Sequence, residues 1–350
     1  MNTKPKIALV FGGVGAEREV SLAGAEFVFT LISPEKYAPL SIFIAPDGRW
    51  LSDPTGGASP RQMTENVAAL KEVFPAKRCA GGGFISDEGF IPIDTAIPLL
   101  HGEFGEDGRV QGLFDCAGIP YVGSGVTAGA VAMDKAYTKA LAESLGVPTA
   151  RWTLAIMNSP AETPTSARER AEAAFGYPMF LKPARQGSSV GAGIARCEKE
   201  FESALEAAAA AGDGRVIIEE YIDNRVELEC AYLGTKSKQL FTPIGEISCF
   251  GFYDYDAKYG KDSAARVSAV SKHEAAWGKD VREWSRKIVE HLGVRHLARL
   301  DFFLSGKRLI FNEINTFPGF TEISLYPRLI SRLGISPADL IELLISDTLV

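Results

Sequence analysis

The sequence predicts an α/β protein with α+β regions and more than one domain, and three observations carry this prediction. The chain has 350 residues, enough for about two or three domains of roughly 150 residues each. Short apolar strands alternate with helical stretches over the first third of the chain, as they do in parallel α/β sheets. Near the C-terminus, two further apolar strands each carry a carboxylate, Asp301 and Glu313.

The first domain is expected over residues 1–123 as an N-terminal parallel, Rossmann-like α/β domain. Its predicted strands and helices lie at 7–11, 20–32, 40–45, 62–74 and 95–100. Residues 46–92 are rich in Gly, Pro and Ser, which predicts a surface excursion or a small hairpin. Ligands of open α/β sheets bind where parallel strands end, so the loops after these strands are candidate ligand positions.

Two loops at these strand ends contain acids. Glu17 lies between the first strand and the first helix, where it either contacts a ligand or caps the helix. The segment HGEFGEDG at 101–108 follows the strand at 95–100, and it is either part of the ligand edge or a solvated acidic loop. The first loop is a weak match to a dinucleotide fingerprint, since Arg18 stands where a glycine is required.

The second domain is expected over residues 124–220 as an α+β module. The pattern predicts a helix, a strand, an Ala-rich helix and a further strand, at 127–145, 179–182, 198–211 and 216–220. The segment KPARQGSSVG at 182–191 offers free amides, hydroxyls and a lysine, and such a loop can fold over phosphates. It lacks the Walker order of Gly and Lys, and a plain flexible turn is the alternative.

The third domain is expected over residues 221–350 and contains an unusual aromatic segment. The sequence FYDYDAKY at 252–259 has aromatic residues too dense for an ordinary loop and contains a lysine. A mobile lid that packs on a ligand explains this composition, and partial burial against the core is the alternative.

The register of the last two strands decides whether their acids meet. A turn of three residues would pair Asp301 with Phe311, and it would also pair Arg299 with Glu313. The two acids and Asn315 would then share one face beside the arginine. A turn of two residues would separate the acids.

Carboxylate and amide oxygens without His or Cys indicate Mg²⁺ at this face. Magnesium keeps several waters and commonly bridges protein carboxylates to substrate phosphates, which suggests nucleotide chemistry. The alternative is a structural ion pair between Arg299 and one of the acids.

The composition argues against several classes of protein. The net charge is -7 and no basic block occurs, so we expect no nucleic-acid partner. No apolar run approaches the roughly 20 residues that span a bilayer, and the run at 7–11 is too short for the core of a signal peptide, so we expect no membrane partner and a cytoplasmic protein. The five cysteines and four histidines lack the spacing of a disulfide framework or a zinc site.

Taken together, the ordered motifs identify the chain, from Gly12 almost to its C-terminus, as similar to the D-alanine:D-alanine ligases of the ATP-grasp superfamily. The motifs that carry this resemblance are GGVGAEREVS at 12–21, HGEFGEDG at 101–108, GSGV with MDK at 123–135, KPARQGSSVG at 182–191, FYDYDAKY at 252–259, RLDFF at 299–303 and NEINTFPGFTEISLYP at 312–327. The resemblance implies an ATP-grasp fold behind the N-terminal α/β domain.

The resemblance also implies ATP and metal sites between the second and third domains. Lys135 and Lys182 would lie near the phosphates, with Lys258 on the transferred phosphoryl group. Glu219 and the backbone near Ile222 would contact the adenine base, and Glu227 would hold the ribose hydroxyls. The metal ligands would be Asp301, Glu313 and Asn315, holding two Mg²⁺ ions, with Mn²⁺ as the alternative ion.

The chemistry that the resemblance implies is the ligation of two D-alanine molecules, held in two sites, for peptidoglycan synthesis. ATP would phosphorylate the carboxylate of the first D-alanine, and the amine of the second would attack this acyl phosphate. Catalytic and substrate-binding roles would fall to Glu17, His101, Ser188, Tyr259, Arg299, Gly319, Ser324 and Leu325. Arg299 and the Gly319 backbone would stabilise the oxyanion, and a homodimer is implied.

Three departures from the family pattern accompany this resemblance. Arg225 stands where a glycine usually precedes the ribose-binding acid, Gln186 stands where glutamate is commoner, and residues 267–270 lack a proline that we would expect. The alternatives are ligation of D-alanine to D-serine or D-lactate, another ATP-grasp carboxylate–amine ligase, and an ATP-binding module without turnover.

Overall fold

The computed structural model describes residues 4–15, 17–79, 81–248 and 266–349. Its first region is built on a sheet of order β4–β3–β2–β1–β8, in which β1 pairs in parallel with β2 and β8. The elements of this region are β1 (Lys6–Gly12), α1 (Arg18–Leu31), β2 (Ala38–Ile44), β3 (Trp50–Ser52), α2 (Pro60–Glu65), β4 (Lys71–Glu72), β5 (Phe74–Arg78), β6 (Gly81–Ser86), β7 (Gly89–Pro92), β8 (Thr95–Leu99) and α3 (Arg109–Ala117). The parallel centre of the sheet confirms the predicted α/β arrangement.

The excursion between β2 and β8 forms more sheet than the sequence predicted. Strands β5, β6 and β7 form a separate antiparallel sheet. The main sheet is extended by β3, which pairs antiparallel with β2, and by β4, which pairs antiparallel with β3. The helix predicted at 62–74 is present but much shorter, because α2 ends at Glu65 and the chain continues through a 3-10 turn at Val67–Ala69 into β4. The Val73 N–H donates to the Trp50 carbonyl, so pairing with β3 replaces the expected helical turn.

The second region contains an antiparallel sheet of order β11–β10–β12–β9. Its elements are α4 (Val126–Met133), α5 (Lys135–Ser144), β9 (Trp152–Ile156), α6 (Pro164–Ala174), β10 (Met179–Pro183), β11 (Gly193–Ala195), α7 (Glu198–Ala210) and β12 (Arg215–Glu220). The predicted continuous helix at 127–145 is wrong because it breaks at Asp134. This residue has extended backbone angles, and its carboxylate accepts the Ala136 and Tyr137 N–H groups as the cap of α5.

The third region is built on an antiparallel sheet of order β16–β15–β13–β17–β18, with β14 also paired to β13. Its elements are β13 (Val226–Thr235), β14 (Lys238–Phe241), β15 (Gly245–Ser248), β16 (Arg266–Ser268), α8 (Glu274–Leu292), β17 (Leu297–Ser305), β18 (Arg308–Asn315), α9 (Leu325–Ile330) and α10 (Pro337–Thr348). Residues 252–259, which the sequence predicted as a lid, lie outside the described residues.

The hairpin of β17 and β18 corrects the predicted register. Ser305 pairs with Arg308, so the turn has two residues, and the three-residue alternative with its pairings is wrong. A β-bulge next to Asp301 compensates, because β18 contributes one extra residue there and Asp301 comes to pair directly with Glu313. The acids therefore share a face, although the turn alone would have separated them.

The first and third regions share one hydrophobic core. Helix α10 packs on α1, where Ala25 and Val28 meet Leu340, Ile341 and Leu344, all buried. Burial of these apolar side chains ties the N-terminal region to the C-terminal helix.

The described cysteines are free thiols, at Cys79, Cys116, Cys197 and Cys230, and Cys249 lies outside the described residues. No helix in the described ranges combines the length and apolarity needed to cross a bilayer.

Candidate active site

A cavity of about 530 Å³ lies where the three regions meet. Its wall contains every described residue that the sequence predicted for the site, namely Glu17, His101, Lys135, Lys182, Ser188, Glu219, Ile222, Glu227, Arg299, Asp301, Glu313, Asn315, Gly319, Ser324 and Leu325. The other two predicted site residues, Lys258 and Tyr259, lie outside the described residues. The strand-end loops, the Gly/Ser-rich loop and the acidic hairpin thus converge on one space.

Glu17 connects the first region to the Gly/Ser-rich loop of the second. The Ser188 hydroxyl donates to Glu17 Oε1 at 2.5 Å, and no side-chain cap bond forms from Glu17 to α1, so capping does not explain this acid. Two glycines make room for its carboxylate. A Cβ on Gly102 would lie 2.1 Å from Glu17 Oε2, and one on Gly187 would lie 3.0 Å from it.

His101 lies beside Glu17 as a buried imidazole. Burial lowers its pKa below the usual value, while the charge of Glu17 and a hydrogen bond with the Phe317 main chain act in the opposite direction. Its Nε2 has no hydrogen-bond partner among the described residues. A buried ring nitrogen without a partner is a group that a ligand can satisfy.

Glu106 is a buried acid that the sequence reasoning missed. Its two carboxylate oxygens accept the N–H groups of Gly102 at 2.8 Å and Phe317 at 3.1 Å, so it joins loops of the first and third regions. Burial and the charge of Glu17 raise its pKa to about 8. The motif at 101–108 was the available signal, but the solvated-loop interpretation left this residue without a role.

Glu219, on the part of the cavity wall formed by the second region, is ion-paired with two lysines. Lys139 Nζ lies 2.6 Å from Oε1, and Lys182 Nζ lies 2.9 Å from Oε2. Burial opposes ionisation of Glu219, but the two ammonium groups outweigh it and lower the pKa to about 2. Lys139 was also missed, although it lies one helical turn after Lys135 on the same face.

Lys135 stands between the Gly/Ser-rich loop and the acidic hairpin. Its Nζ donates to the Gln186 carbonyl at 2.6 Å and lies 3.6 Å from Glu313 Oε2. Nearby, the Arg225 guanidinium lies 3.3 Å from Glu227 Oε1 and 4.9 Å from the centre of the Phe303 ring. This end of the cavity therefore combines cations with an aromatic surface.

Arg299 is held by two carboxylates. Its Nε and Nη2 donate to both oxygens of Asp301, at 2.8 and 2.7 Å, and Glu229 Oε2 lies 3.1 Å from Nε. Burial disfavours the charged guanidinium, but Asp301 and Glu229 hold the pKa of Arg299 well above its usual value. The ion pair considered from the sequence is therefore present, and Glu229, two residues after Glu227 on β13, was missed.

The acidic face offers a donor set that suits Mg²⁺. Asp301 pairs with Glu313 across the hairpin, and Asn315 Nδ2 lies 3.2 Å from Asp301 Oδ2. Among the described residues, no group of three or more His, Cys, Asp or Glu side chains could hold a metal, so a site here depends on two acids and one amide. These are hard oxygen donors of the kind that magnesium prefers, and the residues fit the ion.

The loop before α9 brings the last predicted residues to the cavity. The Ser324 hydroxyl accepts the Thr321 N–H at 3.0 Å and lies 2.7 Å from the Thr321 hydroxyl. A Cβ on Gly319 would lie 3.2 Å from the Ser324 Oγ, so a glycine leaves this crowded corner open. Leu325 follows as a buried apolar contact.

An N-terminal α/β region and two antiparallel sheets around one cavity define an ATP-grasp protein. Profiles described as D-ala D-ala ligase N-terminus and D-ala D-ala ligase C-terminus match residues 6–124 and 141–346. The chain belongs to the D-alanine–D-alanine ligase family. A D-alanine–D-alanine ligase of Acetivibrio thermocellus is 38% identical over an alignment of 366 positions, gaps included. This alignment covers 99% of this chain and 96% of the relative.

Solved structures give the same result. The VanG D-Ala:D-Ser ligase of Enterococcus faecalis superposes with a TM-score of 0.88 at 31% identity, covering 99% of this chain and all of that chain (100%). The D-alanine-D-alanine ligase of Coxiella burnetii superposes with a TM-score of 0.85 at 28% identity, covering 99% and 94%. The predicted ATP-grasp fold is confirmed.

Proposed function

We propose that this protein joins two D-alanine molecules at the expense of ATP, by way of an acyl phosphate, in the synthesis of peptidoglycan precursors. The observation that carries the proposal is the convergence of the Glu17–Ser188 pair, Arg299 and the cavity lysines on one space. An amino acid at one end and a triphosphate at the other would then meet at the arginine.

The first D-alanine would bind at the acidic end. Its ammonium group would face Glu17, whose carboxylate is fixed by the Ser188 hydroxyl and by the room that Gly102 leaves. His101 would stand beside this substrate and supply the ring nitrogen that has no partner among the described residues. Tyr259 is proposed, from the family resemblance alone, to complete the link to the lid.

The nucleotide would bind at the cationic end. Lys135 and Lys182 would face its phosphates, with Lys258 on the transferred group, because positive charge offsets the charge that develops in phosphoryl transfer. Glu219 and the backbone near Ile222 would face adenine. Glu227 would accept the ribose hydroxyls.

Two Mg²⁺ ions, or Mn²⁺ in their place, would be held by Asp301, Glu313 and Asn315. Such ions neutralise charge on the phosphate oxygens and orient them. The protein's own part is to present these oxygen donors on one rigid sheet face, fixed by the bulge beside Asp301.

The bond-forming chemistry would take place at Arg299. Transfer of the terminal phosphoryl group to the first D-alanine carboxylate breaks the bond to ADP and gives a mixed anhydride. The amine of the second D-alanine attacks the carbonyl, and the resulting oxyanion would be stabilised by Arg299 and the Gly319 backbone. Loss of inorganic phosphate leaves the dipeptide, while Ser324 and Leu325 would contact the second substrate.

A second function, ligation of D-alanine to D-serine, has one observation in its favour, namely the similarity to the VanG D-Ala:D-Ser ligase. The curated relatives at 36–38% identity are D-alanine–D-alanine ligases, which favours the first function. We also propose a homodimer in the cytoplasm, because both follow from the family.

The experiment that tests the proposal measures ADP release in the presence of ATP and Mg²⁺, with products identified by mass. The substrate sets are D-alanine alone, D-alanine with D-serine, D-alanine with D-lactate, and L-alanine as the control. We expect D-alanyl-D-alanine from D-alanine alone. A mixed product formed in preference would establish the second function, and ADP release with no D-substrate would contradict both.

A further inference from the structure

The two lysines that hold Glu219 differ in their access to the cavity. Lys182 lines the cavity wall and also reaches Asn312, whose Oδ1 lies 3.4 Å from its Nζ. Lys139 lies behind the wall with 1% of its side chain exposed and, among the described residues, is not part of the cavity lining. A ligand in the cavity can therefore attract Lys182 but cannot contact Lys139.

This arrangement has an electrostatic consequence for nucleotide binding. A polyphosphate near Lys182 competes with Glu219 for the same ammonium group, and a buried carboxylate that lost its counter-ion would be strongly destabilised. Lys139, at 2.6 Å from the other carboxylate oxygen, keeps Glu219 neutralised when Lys182 turns away.

We propose that Lys139 is a positioning residue for the nucleotide base, which fixes the carboxylate of Glu219 toward adenine and frees Lys182 for the phosphates. The inference rests on the proposed function, in which Glu219 faces adenine. Lys139 itself touches neither substrate nor reacting atoms, and it acts through Glu219 alone.

The chemical result would be selection of the base. A fixed carboxylate accepts a hydrogen bond from the 6-amino group of adenine. Guanine has a carbonyl oxygen at that position, so two hydrogen-bond acceptors would face each other. A carboxylate that is free to rotate discriminates less. Loss of Lys139 should therefore weaken both the binding of ATP and its advantage over GTP.

The test is a double-mutant cycle of Lys139→Met, Glu219→Gln and the combined variant, with Lys199→Met on the exposed face of α7 as the matched control. In Lys139→Met we expect KM for ATP to rise by about tenfold or more, the scale on which supporting partners of metal ligands act. We expect kcat at saturating ATP to stay within about threefold, as for lost uniform binding, and KM for D-alanine to be unchanged. The preference for ATP over GTP should fall.

In the Glu219→Gln background, the Lys139→Met change should add little to KM for ATP, because the residue through which Lys139 acts is already altered. Equal effects in both backgrounds would overturn the proposal, as would an unchanged ATP/GTP preference. If Lys139→Met alone fails to fold, Lys139→Gln takes its place in the cycle, and the comparison of the two backgrounds is unchanged.

Equilibrium binding of ATP and GTP to the same variants separates this inference from the proposed function. A wild-type protein that binds ATP in preference to GTP but makes no D-alanine product would contradict only the proposed function. A wild-type ligase whose Lys139→Met variant keeps its ATP affinity and preference would contradict only the role of Lys139.

Discussion

The two ends of the cavity each contain a buried glutamate. The pKa of one glutamate is lowered from that of an ordinary carboxyl group, and the pKa of the other is raised. At the nucleotide end, named for the ligand that we propose there, Lys139 and Lys182 outweigh burial and lower the pKa of Glu219 to about 2. At the amino-acid end, named in the same way, burial and the charge of Glu17 raise the pKa of Glu106 to about 8. Burial is common to both, so the neighbouring charges make the difference.

The contrast explains how one cavity would accommodate the ammonium group of an amino acid at one end and a triphosphate at the other. Among the described residues, no lysine or arginine forms an ion pair with Glu17 or Glu106, so the amino-acid end keeps an unbalanced negative charge for an ammonium group. The acids of the other end are each paired with a cation, as in Arg225 with Glu227 and Arg299 with Asp301. That end can therefore receive a triphosphate and its metal ions.

The largest effect should come from removing an acid of the metal face. We expect Glu313→Ala to lower turnover by at least about a hundredfold, since loss of a group that stabilises developing charge commonly costs about 10²-fold to 10³-fold. Thermal unfolding should change little, because Glu313 is part-exposed and lies outside the hydrophobic core. The measurement is ADP release as a function of Mg²⁺ concentration, with Glu290→Ala on the exposed face of α8 as the control. Near-normal turnover would move the metal site away from this face.

The family resemblance implied which loops meet, and each of these loops carries one of the motifs on which the resemblance rests. Apart from the pair of Arg299 with an acid, which the sequence offered as an alternative, it did not predict the polar contacts that distinguish the two ends. Lys139 and Glu219 lie on separate elements, and so do Glu106 and Phe317, so no local pattern links the partners. Glu229 was missed for the same reason, since its partner Arg299 lies on a neighbouring strand.

The hairpin shows a different limit of the sequence. Alternation along β17 and β18 left two turn lengths open, and the two-residue turn that the structure contains would by itself have put Asp301 and Glu313 on opposite faces. The bulge at Asn312 corrected the register, and a bulge depends on pairing between strands rather than on the composition of either one. The break at Asp134 was detectable in principle, because Asp is a preferred helix cap.

A smaller effect should appear at the amino-acid end as a pH dependence of stability. The pKa of Glu106 is 4.5 in an ordinary environment and about 8 in the folded protein, so between these values the folded state holds a proton that the unfolded state has lost. The stabilisation is complete below pH 4.5 and is lost as the pH rises through about 8. Relative to Glu106→Gln, the wild type should therefore lose free energy of unfolding across this window.

The measurement is the free energy of unfolding of both proteins, obtained by urea unfolding at about pH 5, 6.5 and 8, three values that sample this window. The charged or titratable groups that act on Glu106 include Glu17 and Arg299, and because both proteins retain them, the comparison isolates Glu106. A difference between the two proteins that stays constant with pH would show that Glu106 remains ionised and would remove half of the contrast between the ends.

The smallest effect should come from Arg225, which stands where the family resemblance has a glycine. Its guanidinium pairs with Glu227 and lies over the Phe303 ring, with 16% of the side chain exposed. Partly exposed ion pairs and cation–π contacts each contribute about 1 kcal/mol or less, so Arg225→Met should raise KM for ATP by only about threefold. Arg225→Lys, which retains the charge but not the planar group, separates the two contributions.

A fall in KM for ATP in Arg225→Met would mean that Arg225 obstructs the nucleotide. A change in KM for D-alanine in the same variant would mean that the two ends of the cavity are not independent.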